Sequence, residues 1–325
     1  MAEEEIAAFE AHAGLRLPAA YRDFLAQVGH GGAGPYYGLA ALPAEPDPQA
    51  LGTSPIVTLD PAQPAYASLR AAMEAEGDDD AVYDRLEARY RGGVLFLGEQ
   101  GCGLYHALVL NGEARGRVVY LAEDIELEGR PFLCHEADFL DWYERWLDEV
   151  IAGDLTQGGA AWFGRLRGGS AAALWQGWRE TGDGEWLQAL HAKRALPPAI
   201  LDAAEAAWLA RSEDALLALL AKHDLPRARD ALLSGRHGAR TTLAVLSQHA
   251  RNDRPLLRGW LERHDAPDET EAFRHYAYIL RALDDRGLAA ARLTPHVDAE
   301  DRGIRQTARY ILAEMKLPTK GLAEA

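Results

Sequence analysis

The sequence predicts two domains of different fold class, an α+β domain in residues 1–152 and an all-α domain in residues 160–318. In the first half, apolar residues at helical spacing alternate with short apolar runs that are typical of strands. After residue 160 only helical spacing recurs, in segments of roughly 10–15 residues separated by Gly, Pro or Asp. The stretch AGDLTQGG between the two halves has no such pattern and is typical of a boundary.

The α+β domain is predicted to begin with two helices. The segment Glu3–Ala13 has Ile6 and Phe9 at helical spacing and stops at Gly14, a residue type that commonly follows a helix end. A second helix follows, with Pro18 in its first turn. Its predicted apolar face consists of Tyr21, Phe24, Leu25 and Val28.

The next segment is predicted to be mainly irregular. GHGGAGPYYGL reads as a glycine-rich turn that leads into a short strand. Six of the 16 prolines lie between Pro43 and Pro64, and proline interrupts both helices and sheets. We therefore expect this proline-rich segment to be irregular and to lie on the surface.

The rest of the domain is predicted to be two helices, a mostly antiparallel sheet and a closing helix. Helices are expected over Tyr66–Glu76 and about 81–91, and GGVLFLG reads as a short buried strand. Residues 104–110 should pair with 116–122 across the loop NGEARG. The closing helix ADFLDWYERWLDEVI is predicted to point these residues inward: Phe139, Leu140, Tyr143, Leu147 and Val150.

The second half is predicted to consist of helical hairpins. Three segments share a leucine-rich face with Asp, Pro and Arg between helices: EDALLALLAKHDLPRARDALLSG, TTLAVLSQHARNDRPLLRGWLERH and EDRGIRQTARYILAEMKLP. This pattern favours degenerate HEAT-like repeats stacked as a small solenoid. A non-repeating helical bundle is the alternative.

The charge of the chain is divided unequally. Residues 1–150 carry a net charge of −17 and residues 151–325 a net charge of +1, which gives −16 in total. The acidic half favours a basic partner and argues against nucleic-acid binding by that half. A solvated surface that only aids solubility is the alternative. The acidic residues expected to face a partner are Asp78, Asp79, Asp80, Glu99, Glu123, Asp124, Glu126 and Glu128.

The stretch LGEQGCGLYHALVLNGEARGRVVYL raises the question of a Cys–His site. Within one regular strand, Cys102 and His106 would lie ~13 Å apart, too far for a catalytic pair. Adding Cys134 and His135 gives no spacing known for zinc. The glycine-rich stretches lack the strand and helix that a phosphate or dinucleotide loop needs. We predict hairpin sequence with a packed, hydrogen-bonded His106, and no catalytic residue, metal or cofactor.

Nucleic acid and membranes are also disfavoured as partners. Two groups of arginines occur in the second half, but the net charge there is only +1 and acidic residues are interleaved with them. These arginines are Arg165, Arg167, Arg227, Arg229, Arg236 and Arg240. No run approaches 18 apolar residues, and the acidic N-terminus does not resemble a signal peptide. With only two cysteines, we expect a reduced cytoplasmic protein.

The first half resembles the SUKH superfamily, the domain shared by a fungal cell-wall-assembly regulator and many bacterial immunity proteins. Three stretches carry the resemblance: FEAHAGLRLPAAYRDFLAQVGHGGAGPYYGL at 9–39, GVLFLGEQGCGLYHALVLNGEARGRVVYL at 93–121 and FLDWYERWLDE at 139–149. The motif residues given a structural role by the resemblance are Leu17, Pro18, Tyr21, Phe24, Leu25, Gly32, Gly38, Leu39, Gly101, Gly103, Tyr105 and Gly112.

The resemblance implies a non-enzymatic protein-binding protein with a helix-flanked sheet. A bacterial immunity protein that neutralises a cognate toxin by direct binding is the leading hypothesis. The acidic first half suggests that this toxin is a basic domain, such as a nuclease or deaminase. The alternative is a regulatory or scaffold adaptor that bridges endogenous proteins.

Overall fold

The structure is a computed structural model that describes residues 1–59, 64–76, 79–122, 130–155, 163–234 and 237–318. The chain divides into two compact units, residues 1–170 and residues 171–325. The first unit combines helices with one antiparallel sheet, and every regular element in the described part of the second is helical. An α+β domain followed by an all-α domain is therefore confirmed.

The N-terminal unit has one sheet with the strand order β1-β2-β3-β4, in which β2 and β3 are central. Its described elements are α1 (Glu3–Ala13), α2 (Ala19–Gln27), α3 (Pro48–Gly52), α4 (Pro64–Glu76), α5 (Asp80–Tyr90), β1 (Val94–Gly101), β2 (Leu104–Val109), β3 (Val118–Ala122), β4 (Phe132–Leu133) and α6 (Phe139–Ala152). All neighbouring strands pair antiparallel, and β2 pairs with β3 as the sequence predicts.

The sheet lies between two helical layers, each with its own core. On one face, Leu108 of β2 packs in the same cluster as Trp142 of α6. On the other face, Val109 of β2 packs in the same cluster as Tyr90 of α5. Because successive strand residues point to opposite faces, a sheet covered on both sides has no polar face. This explains why all five residues of β3 are buried.

Three apolar residues that were predicted to point inward are exposed. Leu147 and Val150 of α6 face solvent, so that part of the prediction was wrong. The reason is an ion pair on the buried side of this helix, Arg145 Nε to Glu149 Oε1 at 2.8 Å, which turns the buried face away from them. Val28 is also exposed because α2 ends just before it.

The proline-rich segment contributes to the core, and its prediction as a wholly irregular surface stretch was wrong. Asp47 accepts hydrogen bonds from two backbone N–H groups and so begins the short helix α3. Asn111 Nδ2 donates to the carbonyl of Leu51 at 3.3 Å. The side chains of Ile56 and Val57 are buried against the α5 face of the sheet.

The N-terminal unit continues beyond α6 to residue 170. The carbonyl of Phe163 accepts hydrogen bonds from Tyr36 Oη at 2.7 Å and Tyr120 Oη at 2.9 Å. The guanidinium of Arg145 lies 5.2 Å from the centre of the Phe163 ring. Residues 163–170 therefore belong to the N-terminal unit, although the sequence assigned residues from 160 onward to the helical domain.

The C-terminal unit is a succession of short helices. They are α7 (Ala171–Thr181), α8 (Gly184–Ala192), α9 (Pro198–Arg211), α10 (Asp214–His223), α11 (Leu225–Leu233), α12 (Ala239–His249), α13 (Arg254–Arg263), α14 (Thr270–Leu283), α15 (Arg286–Leu293) and α16 (Arg302–Glu314), with a 3-10 turn at Thr294–His296. Aspartate side chains accept first-turn N–H groups at the starts of α8, α13, α15 and α16, which explains the Asp punctuation.

The even-numbered helices from α8 to α16 pack on one another in succession. Polar contacts at a similar sequence separation join neighbouring parts of this stack. Arg227 bonds Asp202, 25 residues earlier, and Thr270 bonds Asp301, 31 residues later. This geometry is that of stacked helical hairpins. Their assignment to HEAT-type repeats stays a prediction.

Candidate protein-binding surface

The hairpin between β1 and β2 has a tight turn formed by Cys102 and Gly103. Gly101 pairs with Leu104, so only two residues connect the strands. Their φ angles are 54° at Cys102 and 73° at Gly103. Positive φ at both positions is the mark of a type I′ turn, whose twist matches that of the strands. The turn therefore projects the Cys102 side chain into solvent, where it is exposed.

A groove of about 320 Å³ lies beside this hairpin. Its lining includes the apolar residues Val94 and Leu104 and the charged residues Arg91 and Glu99. The full lining is Arg91, Val94, Phe96, Glu99, Gly101, Cys102, Gly103, Leu104 and Tyr105. A groove lined by apolar residues and a few charged groups is suited to holding a side chain of another molecule.

Aromatic and cationic side chains are held in place at the groove. The ring of Phe96 is 46% exposed and lies 6.0 Å from the ring of Tyr105. The guanidinium of Arg91 lies 5.5 Å from the centre of the same tyrosine ring and pairs with Glu87 at 2.8 Å. Side chains already ordered by neighbours lose little conformational freedom when a partner binds.

Tyr37 extends the exposed surface beyond the groove. Its ring is 78% exposed and lies so close to Gly101 that a Cβ there would meet it at 3.0 Å. The backbone N–H groups of Tyr37 and Ala40 donate to carbonyls of β1, at 3.4 Å and 2.6 Å. We name Tyr37, Phe96, Glu99 and the groove the hairpin patch.

The predicted partner-binding acids do not form one cluster. Asp79 caps α5 by accepting from the N–H of Ala81 at 2.9 Å, and Asp80 is the exposed first residue of that helix. Glu99 lines the groove together with Arg91, at the other end of the helix. An 11-residue helix separates its ends by ~16 Å. The remaining acids, Asp78, Glu123, Asp124, Glu126 and Glu128, lie outside the described residues.

The motif residues of the family resemblance lie in turns and in the core. The five glycines all have positive φ: Gly32, Gly38, Gly101, Gly103 and Gly112. Glycine adopts this conformation without the strain that a Cβ would bring. The other motif residues are buried: Leu17, Pro18, Tyr21, Phe24, Leu25, Leu39 and Tyr105. Pro18 immediately precedes α2.

Cys102 and His106 occupy different environments. His106 is completely buried on the α6 face, with its ring 5.3 Å from that of Trp142. Burial lowers the pKa of His106 to about 4, a shift that the backbone of Gly38 opposes. Neither ring nitrogen of His106 makes a hydrogen bond of ordinary geometry among the described residues, unlike the hydrogen-bonded histidine we predicted. Cys134 is buried as well, and burial raises the pKa of its thiol.

The second half's described arginines mostly form internal contacts. Arg227 bonds three carboxylates, of which Asp224 is one of the acids interleaved in the sequence. Arg229 pairs with Asp253, and Arg240 lies 2.5 Å from Glu271. Two further guanidinium contacts involve rings: Arg165 lies 5.3 Å from Phe132 and 5.8 Å from Tyr120. Arg236 lies outside the described residues.

Three residues of the surface were not singled out from the sequence: Tyr37, Arg91 and Phe96. The run GGVLFLG reads as wholly apolar, although alternate residues of a strand must face opposite layers. Phe96 lies on the opposite face from Leu95 and Leu97, which are buried. This alternation along the strand could have indicated that Phe96 lies on the other face of the sheet. Nothing in the local sequence indicates that Tyr37 lies beside Glu99 and Gly101.

The described helices include none that is both long and apolar enough to cross a membrane. In the same residues, no group of three or more His, Cys, Asp and Glu side chains is arranged to hold a metal ion. Comparison with known proteins finds a match between residues 1–144 and the model of the SMI1 / KNR4 family (SUKH-1). No curated protein and no solved structure matches the chain. The family match supports a SUKH domain at the N-terminus of this chain.

Proposed function

We propose that the protein binds other proteins without catalysing a reaction, and that it is a bacterial immunity protein that neutralises a toxin by direct contact. The observation that carries this proposal is the hairpin patch, in which exposed Phe96 lines a groove and exposed Tyr37 adjoins it at Gly101, on a strongly acidic unit. The SUKH match supports binding to a protein partner at the level of the superfamily.

The composition of the hairpin patch fits a protein interface. Tyrosine, tryptophan and arginine dominate binding hot spots, and surrounding polar groups exclude water from them. Here Tyr37 and Phe96 supply exposed rings, and Arg91 contributes a guanidinium already stacked on Tyr105. We assign to these residues most of the affinity for the toxin.

The acidic residues have a different role in this proposal. A net charge of −17 in residues 1–150 attracts a basic domain over a distance and raises the association rate. Such a toxin, for example a nuclease or deaminase that handles nucleic acid, carries a complementary basic surface. Asp79 and Asp80 lie at the end of α5 opposite to Arg91, ~16 Å along the helix, and are expected to steer the partner rather than contact its centre.

The first experiment is copurification of the tagged chain from its native host, at moderate and at high salt. One stoichiometric partner with a toxin-like C-terminal domain supports the proposal and identifies the target. Several ordinary cellular proteins, with no self-poisoning when the gene is deleted, support the adaptor instead and contradict the immunity role.

The second experiment measures the binding kinetics of variants with that toxin. Phe96→Ala and Tyr37→Ala should each raise the dissociation rate at least tenfold, because a hot-spot truncation costs about 2 kcal/mol or more. Leu209→Ala removes an apolar side chain of the helical unit whose exposure, 64%, lies between those of Phe96 and Tyr37, and it is the matched control. Equal dissociation rates for all three variants would contradict a role for the hairpin patch.

Charge reversal tests the steering role separately. Asp79→Lys with Asp80→Lys should lower the association rate at low salt and leave the dissociation rate nearly unchanged. The difference should disappear at high salt, where charges are screened beyond a few ångströms. An association rate that is unchanged at low salt removes these two residues from the proposal.

A further inference from the structure

Three histidines meet at the C-terminal ends of consecutive even-numbered helices in the helical unit. His191 lies one residue before the end of α8, and His223 and His249 are the last residues of α10 and α12. The ring of His191 lies 5.1 Å from that of His249 and 6.4 Å from that of His223, centre to centre. The three side chains thus connect three helices of the stack.

The contact between two of these rings depends on their protonation. His191 Nε2 lies 3.2 Å from His249 Nε2. Such a contact needs one nitrogen that donates and one that accepts, which two neutral imidazoles, or one neutral and one charged, can supply. Two imidazolium rings have only donors and therefore repel each other at this distance. The buried Nε2 of His223 has no hydrogen-bond partner among the described residues.

A fixed positive charge adjoins the three rings. Lys222 Nζ donates to the backbone carbonyl of His191 and, at 3.3 Å, to that of Lys193. Burial, and after it the Lys222 ammonium, together lower the pKa of His191 and of His223 to about 4. The pKa of His249 is lowered by the same two causes.

The backbone offsets this charge only in part. The backbone of His191 and Leu190 favours the charged form of His223, and each ring lies at the C-terminal end of a helix, where the helix dipole favours a positive charge. Among the described residues, the charged or titratable groups that act on His191 are Lys222, His249 and His223. Lys222 acts in this way on His249, and so does His191 through the contact between the two rings. No carboxylate from α7, α9, α11 or α14, which pack on these helices, is among those groups. On α14, the ring nitrogen Nδ1 of His275 shares a hydrogen bond with the hydroxyl of Ser247, at 2.9 Å.

We propose that His191, His223 and His249 form an acid-sensitive seam whose protonation separates α8, α10 and α12 while α14 and α16 remain stacked. At neutral pH the rings are uncharged and hold the helix ends together. As the pH falls, each ring that takes up a proton adds a positive charge beside Lys222. The stack then opens at this end because the open form solvates the charges.

Hydrogen–deuterium exchange of the full chain at pH 7.5 and pH 5.0 tests the seam, with rates corrected for intrinsic pH effects. We expect protection to fall at least tenfold in α8, α10 and α12 on acidification, with little change in α14 and α16. Equal loss throughout the helical unit, or no loss, would overturn the proposal.

A variant separates the seam from general acid effects. His191→Gln with His249→Gln keeps polar side chains that do not titrate, so the acid-induced loss of protection should shrink at least fivefold. His12→Gln replaces an exposed histidine of the first unit and should behave as the unchanged protein does. If the double variant loses protection as strongly as the unchanged chain, the seam does not cause the opening.

A direct titration keeps the test valid if the double variant does not fold. Nuclear magnetic resonance of the unchanged protein should show His191 and His223 titrating below pH 5.5, together with the change in exchange. Titration near pH 6.5 with unchanged protection in α8, α10 and α12 would overturn the proposal.

Discussion

Cys102 adopts a strained backbone conformation that the turn between β1 and β2 requires. It has a φ of 54°, a conformation that costs most non-glycine residues about 1–2 kcal/mol. The type I′ turn requires this conformation because the turn must follow the twist of β1 and β2. Asn and Gly are the residues usually found there, and the chain has Gly at only the second of the two positions.

Replacement of Cys102 by asparagine should therefore stabilise the protein. We expect Cys102→Asn to raise the free energy of unfolding by about 0.5–1 kcal/mol, since asparagine tolerates positive φ. Urea denaturation followed by circular dichroism measures the change. Cys102→Val should have the opposite effect because a β-branched residue is the least suited to this conformation. Equal stability of both variants would contradict the turn assignment.

The ion pairs around Arg145 predict how much stability is lost when this residue is replaced. It lies 2.6 Å from Glu136 and 2.8 Å from Glu149, and all three side chains are nearly buried. Arg145→Leu leaves two carboxylates buried without their cation, which should cost about 3–5 kcal/mol. Arg91→Leu breaks an exposed pair with Glu87 at the same helical spacing and should cost less than about 1 kcal/mol. Denaturant unfolding of both variants compares them, and similar losses would refute the buried network.

The lowered pKa of His106 predicts that the stability of the first unit depends on pH. Its pKa is about 4 in the folded protein, against about 6.5 for an unperturbed histidine. The unfolded chain therefore binds more protons in this window, and stability falls as the pH drops from 6.5 to 4. The loss from this one group is about 3 kcal/mol. His191 and His223 of the second unit add slopes of their own, so the test uses denaturant unfolding of residues 1–170 at a series of pH values. There His106→Leu should lower the slope by this amount, whereas His12→Leu should preserve it.

At the scale of the elements, the segment after α6 determines where the first unit ends. Phe163 is buried in the same cluster as Trp142, and its carbonyl accepts from two tyrosines. Gly164 permits this approach, because a Cβ there would come within 2.2 Å of Tyr120 Oη. The segment is thus part of the core although it follows the last helix.

Truncation of the Phe163 side chain should consequently destabilise the first unit. We expect Phe163→Ala to lower its free energy of unfolding by about 3–5 kcal/mol, the usual cost of removing a buried phenylalanine side chain. Trp142 fluorescence during urea unfolding provides a nearby probe. A loss below about 1 kcal/mol would show that Phe163 contributes little to this core.

The sequence predicted those elements whose pattern follows from local geometry. The pairing of β2 with β3 was predictable because two apolar runs flank a turn sequence, and the helix ends followed from Gly14 and from the capping aspartates. The buried face of α6 could not be predicted in this way, because it depends on the pairing of Arg145 with Glu136, a residue outside the helix. The candidate site was predicted only at Glu99. Tyr37 reaches Glu99 and Gly101 through an edge contact between segments about sixty residues apart in sequence, which local spacing does not encode.

At the scale of the whole molecule, two units with different physical character share one chain. The first is held by a sheet covered on both faces, and the second by helices that mainly contact their sequence neighbours. Units of the second kind gain stability by adding neighbours, so they can open from one end. Units of the first kind unfold as a whole because elements distant in sequence, such as α2 and α6, share one core.

This difference predicts how fragments of the chain behave. A fragment of residues 1–170 contains both cores and should unfold in one cooperative transition. A fragment ending at residue 155 lacks Phe163 and should unfold at a clearly lower temperature. Differential scanning calorimetry of the two fragments makes the comparison, and equal midpoints would contradict the assignment of residues 163–170 to the first unit.

The segment that carries Tyr37 is attached to the edge of β1 through backbone atoms, by N–H groups of Tyr37 and Ala40. Backbone hydrogen bonds do not depend on which side chain a residue bears. Exposed positions of this segment can therefore change during evolution without disturbing the sheet beneath them. Such an arrangement lets related chains acquire new partners by a few surface substitutions, while the unpaired edge of β1, a site of unwanted strand pairing, remains covered.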